Sequence, residues 1–154
     1  MELYRIGPRL EEVQRPLAPE DRALVLLTSQ ELERPPQAAG PEDVLRHTPS
    51  AREARGCRAE VRRDCLCGTV VTPRHTRAGA PIAFGFLLTA DRLVLCDDSG
   101  AVSALVRRLA REGRWQESGP GRLLCQLLEL LLARDARHLE ELEDQLGQLE
   151  DQVP

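Results

Sequence analysis

At 154 residues, with 42% hydrophobic but only 3% aromatic side chains, the chain is long enough for one domain whose core must be Leu, Val and Ala. A formal net charge of -4, with scattered basic residues that are all Arg, gives no nucleic-acid footprint and implies no acidic partner. Cys57, Cys65, Cys67, Cys96 and Cys125 lack a disulfide-framework spacing and MELYRIGPRL lacks a signal-peptide core, so a reducing cytosol is expected.

In chain order, Leu3 to Ile6 reads as a short strand closed by Gly7-Pro8, and Ala23 to Thr28 as a buried second strand. Ser29 is placed to cap the turn that follows. Pro35-Pro36 and Gly40-Pro41 punctuate a loop, and Pro41 to His47 has the chemistry of a helix start, with proline first and Glu42 and Asp43 in the opening turn. Ser50 to Gly56 is polar and gives little signal. Two hairpins follow: Cys57 to Arg62 with Leu66 to Thr72 about Arg63-Asp64, and Ile82 to Thr89 with Leu93 to Asp97 about Ala90-Asp91. Pro73 to Pro81 joins them as a surface loop. Ser99 then caps a helix from Ala101 to Glu112, whose Val102, Leu105, Val106 and Leu109 cover one sheet face.

Ser118 and Pro120 open the terminal helix, which changes character along its length. Up to Leu132 it is nearly solid leucine. From Leu139 the apolar residues are confined to Leu139, Leu142, Leu146, Leu149 and Val153, a three-four seam between acidic faces that needs a partner helix. The expected architecture is α/β or α+β: a mixed sheet covered by helices, with a projecting C-terminal helix. The expected division is 1–116 for the α/β domain and 117–154 for the long helix, packed at its start and amphipathic at its end. No apolar run reaches the roughly 20 residues needed to cross a bilayer. The nearest, Leu123 to Ala133, is short and contains Glu129.

The motif inventory is poor for catalysis, with no phosphate loop, nucleophile elbow or paired-His zinc signature, and no enzyme is expected. His47, His75 and His138 fall in different elements. Cys57, Cys65, Cys67 and His75 are the right ligand types for zinc. Cys65 and Cys67, however, sit two apart on one face of a strand without a knuckle turn, and the plainer reading is core cysteine. Asp97-Asp98 could hold a hard cation, but Asp98-Ser99-Gly100 reads first as a turn into a capped helix. Glu42 and Asp43 suit the dipole of their helix. Glu129 interrupts a leucine run, and exposure on the far side of its helix is the simplest explanation.

Taken together, FLLTADRLVLCDDSG, a helix, and then SGPGRLLCQLLELLLARDARHLEELEDQLGQLEDQV resemble the cytoplasmic domain of the CorA family of magnesium transporters. Upstream, PEDVL and CRAEVRRDCLCGTVV resemble that family's Glu-Asp-Ile-Leu helix and the hairpin after it. The resemblance covers nearly the whole chain, more loosely in its first half. Cys65 and Cys67 stand where the family has aromatic residues, and the link from Asp43 to the Cys57 strand is longer than usual. The stalk helix, both membrane spans and the Gly-Met-Asn pore signature are absent.

The resemblance implies a soluble, magnesium-sensing regulatory domain on the cytoplasmic face of the membrane, belonging to a homopentameric transporter and attached through C-terminal segments not present here. Such a fragment does not transport by itself. Carried over by position, Glu42, Asp43 and Glu129 would bind Mg2+, or another divalent cation, between subunits. Facing carboxylates repel when empty, so a bridging cation is a natural switch. The alternative is a helix-mediated interaction module that uses the Leu139 to Val153 seam and ignores magnesium.

Overall fold

A computed structural model describes residues 1–73, 81–112 and 119–150. Strand β3 (Ala23–Leu27) is apolar and buried at all five positions because both faces of its sheet are covered there. It is flanked by β1 (Glu2–Ile6) on one side and β7 (Arg92–Cys96) on the other. With β2 (Leu10–Glu12), β4 (Arg58–Val61), β5 (Leu66–Val71) and β6 (Ala83–Leu88) they form one seven-stranded sheet in the order β2-β1-β3-β7-β6-β5-β4. Every neighbouring pair is antiparallel except β3 and β7, which run parallel with Val25 opposite Val94. The mixed sheet with covering helices is the expected architecture.

Alternation along the strands sorts the core into two layers. Tyr4, Leu24, Leu26, Phe84, Phe86, Leu93 and Leu95 face α3 (Ala101–Glu112) and the first half of α4 (Pro120–Glu150). Leu3, Val25, Leu27, Leu87 and Val94 face the opposite layer, where Leu45 of the short helix α2 (Glu42–Leu45) and Ala39 of a 3-10 turn close the core. α2 and α4 therefore lie on opposite faces of the sheet.

Both expected hairpins form, with Val61 opposite Leu66 and Leu88 opposite Leu93. α3 begins and ends where its periodicity places it. Asp97 and Ser99 share its cap: Asp97 Oδ2 accepts from the Val102 amide at 2.8 Å, and Ser99 Oγ from the Ala101 amide at 3.2 Å.

Two local readings change. Strand β2 was not expected; only three residues long, it is created by pairing with β1, Tyr4 opposite Glu12. The cap of α1 (Ser29–Glu33) is Thr28 rather than Ser29, because Thr28 and Glu31 form a reciprocal capping box. Ser29 is the first helical residue, and its side chain turns to Asp98 instead. Ser118, Val153 and His75 lie outside the described residues, as does all but the ends of the Pro73 to Pro81 loop.

Candidate functional site

Glu42 and Asp43 occupy the first turn of α2, directly after Pro41, and both are exposed. Burial of Leu45 holds the helix to the sheet and turns this acidic end outward. Among the described residues neither carboxylate has an ion-pair or side-chain hydrogen-bond partner, so both are available to a ligand. Their surroundings differ in charge. Asp43 lines a pocket of about 440 Å³ whose walls carry Arg46, Arg62 and Arg63 against one further acid, Asp64.

Glu129 lies on the other side of the sheet. It projects from the solvent side of α4, with a carboxylate oxygen 3.8 Å from an Arg122 guanidinium nitrogen and a side chain 63% exposed. Exposure is thus what allows a charge in the leucine run. One chain does not bring Glu129 together with Glu42 and Asp43, and among the described residues no three His, Cys, Asp or Glu side chains are grouped to hold a metal. The donor chemistry of Glu42 and Asp43 nevertheless suits magnesium. That ion keeps several waters and is bound through one or two carboxylates rather than by a closed cage.

The Asp97-Asp98 pair is fully engaged. Asp97 Oδ1 accepts from the Ser99 amide at 2.8 Å and the Ser99 hydroxyl at 2.6 Å, in addition to the helix cap. Asp98 accepts from the Ser29 amide at 2.6 Å and the Ser29 hydroxyl at 2.7 Å, and Ser50 donates to Ser29 at 2.7 Å. These bonds tie the carboxyl ends of β3 and β7 to the loop before β4. Cys96, buried beneath them, has its thiol pushed up chiefly by burial and accepts from the Ala51 amide at 3.4 Å. The turn-and-cap reading of this pair stands.

The cysteines do not assemble either. Cys57 precedes β4 and meets the backbone of Val71, whereas Cys65 and Cys67 lie at the other end of the same hairpin. The core reading holds for Cys67, but Cys57 is exposed and Cys65 half-buried. Burial, then the neighbouring Cys67, pushes the Cys65 thiol up, which makes it a poorer nucleophile. His47 sits 3.3 Å from an Arg62 nitrogen, and His138 is 3.9 Å from Glu141, far along α4.

The feature least visible beforehand is a groove of about 600 Å³ where α4 leaves the sheet. It is lined by Val70, Phe86, Leu128, Leu131 and Leu132 among others. At 100° per residue, Leu128 and Leu132 lie on the same face of α4 as Leu139, Leu142, Leu146 and Leu149. The leucine face therefore starts at Leu128, about three turns before Leu139, and its signal was the three-four spacing hidden inside a run of leucines. Among the described residues no helix is long and apolar enough to cross a membrane.

No family model and no curated protein sequence matches the chain. Solved structures do. The full-length CmaX protein is similar over 99% of this chain and 51% of its own, with a TM-score of 0.74 at 16% identity. The complete CorA magnesium transporter from Methanocaldococcus jannaschii is similar over 98% of this chain and 50% of its own, with a TM-score of 0.68 at 19% identity. The soluble domain of that same transporter covers 98% of this chain and 64% of its own, with a TM-score of 0.68 at 20% identity. The chain thus spans about half the length of the two full-length structures. At these identities the likeness is one of fold, and it extends over essentially the whole chain.

Proposed function

We propose that this chain is the cytoplasmic, magnesium-sensing regulatory domain of a CorA-type divalent-cation transporter, and that it acts in a homo-oligomer. The observation that carries the reading is the fold shared, over 98% of the chain, with the soluble domain of a CorA magnesium transporter. The placement of the acids supports it further. A ring of identical subunits is built from heterologous contacts, in which two different surfaces of the chain meet. Glu42 and Asp43 on one face and Glu129 on the other suit such a contact: the α2 acids of one copy approach the α4 acid of the next, and a hydrated Mg2+ bridges them. Each ion offsets the repulsion between the carboxylates, so its loss loosens the contact, and a pentamer is the ring expected for the family. The basic walls beside Asp43 make Glu42 the stronger ligand of the pair.

The test is the mass of the chain in solution with and without millimolar magnesium, repeated for Glu42→Ala, Asp43→Ala and Glu129→Ala. A magnesium-dependent rise in mass, lost in the variants and most completely in Glu42→Ala, is expected. A mass indifferent to the metal overturns the reading. It would favour the second one, a helix-mediated interaction module, for which the supporting observation is the run of exposed leucines along α4.

A further inference from the structure

At the amino-terminal ends of β3 and β7, opposite the end where Asp97 and Asp98 lie, a pocket of about 530 Å³ opens beside α2. Its walls are mostly apolar, from Leu3, Pro16, Leu17, Pro41 and Val44, and Arg92 is the basic residue on them. Arg92 is half-buried, and its guanidinium donates to the carbonyl of Ala39 at 2.7 Å. Among the described residues no carboxylate pairs with it. The acid on the pocket wall, Asp91, accepts from the hydroxyl of Thr89 at 2.7 Å.

The backbone is shaped to admit this cation. Gly40 has φ +127°, and a Cβ there would lie 2.0 Å from an Arg92 terminal nitrogen, so any other residue would displace the guanidinium. A guanidinium carries five N–H donors in a planar fork, and the single carbonyl leaves most of them and the whole charge unanswered. Holding an unpaired charge half out of water is costly, and an anion with matching geometry removes the cost. The volume falls within the range of small-molecule sites, roughly 300–1,000 Å³.

We propose that this pocket binds a small organic carboxylate with a short apolar body. The carboxylate pairs with Arg92, and the body lies against Pro16, Leu17 and Val44. An inorganic phosphate would leave those walls unused, and an apolar cation would meet Arg92 with like charge.

Calorimetric titration of the whole chain with hexanoate, and separately with hexylammonium, tests the assignment. Hexanoate is expected to bind and hexylammonium not to. Arg92→Gln should weaken hexanoate by about tenfold or more, the loss of a charge-assisted pair. Ala38→Trp, on the pocket wall, fills the cavity without touching the Arg92 to Ala39 bond, and should abolish binding even if Arg92→Gln fails to fold. Three results would each overturn the proposal: no hexanoate binding by the wild-type chain, equal binding of both probes, or undiminished binding in either folded variant.

Discussion

The two halves of α4 are one continuous helix with opposite relations to water. In the first half Leu123, Leu124, Leu127 and Leu131 press onto Phe84, Phe86 and Leu93 of the sheet. In the second, leucines recur at the same helical spacing but are left exposed: Leu127 is 1% exposed and Leu146 is 60%. The leucines of the two halves share a helical spacing, but the first half is leucine-rich and meets the sheet, whereas the second is mostly charged and polar and meets water. The lesson is that a leucine stabilises the fold only where something covers it, and the distal leucines face water.

The sharpest way to break that contrast is to truncate one leucine in each half. Leu127→Ala removes fully buried methyls from a packed layer and should destabilise the chain by about 2–5 kcal/mol, read as a lowered midpoint in urea. Leu146→Ala should leave the midpoint unchanged. Equal losses would mean that the distal half is covered in solution by another copy of the chain. In that case the cost of Leu146→Ala would depend on protein concentration.

The contrast also separates what could be read in the sequence from what could not. Both hairpins and α3 were legible because alternation, turn residues and a 3.6-residue period are local signals. β2 was not: Leu10 is its single apolar residue, and the strand exists only because β1 offers it an edge. The cap of α1 was legible in principle, as Thr28 with Glu31 three positions on is a capping-box pattern, but Ser29 drew the reading one residue too far. The acids Glu42, Asp43 and Glu129 were singled out as metal ligands only through the family resemblance. Their placement on opposite faces could not be read from the sequence, because it depends on the parallel pairing of β3 with β7, which is non-local. The same is true of Arg92 and Gly40, 52 positions apart and joined only by the fold.

A second difference between the regions lies in how charge is used. In the body, Glu2 is tied to α3: Arg107 donates to it at 2.6 Å, Tyr4 donates at 3.0 Å, and Ser103 donates as well. Burial alone would raise the Glu2 carboxyl, but these bonds outweigh it and hold the group below the ordinary carboxylate value of 4.5. A depressed pKa contributes stability that is present above the unfolded-state value and is lost as pH falls through the folded one. Glu2→Gln should therefore be less stable than the wild-type chain at neutral pH, with the gap closing as pH drops below about 4.5. Urea midpoints across pH 2–7 check this; a gap independent of pH would assign the loss to packing instead.

The smallest effect is the most discriminating. Gly147 lies in the distal half of α4 with nothing within 4 Å of where a Cβ would be, so alanine there meets no obstacle. The substitution should favour the local helix by about 1 kcal/mol. If the distal half opens independently of the body, that gain stays local. Backbone amides around position 147 should then exchange with solvent more slowly by roughly fivefold, while the urea midpoint of the whole chain does not move. A raised midpoint would show instead that the arm unfolds together with the sheet. The buried half of α4 would then transmit whatever happens at the exposed seam directly to the body, as a domain that answers to a partner or an ion at a distance requires.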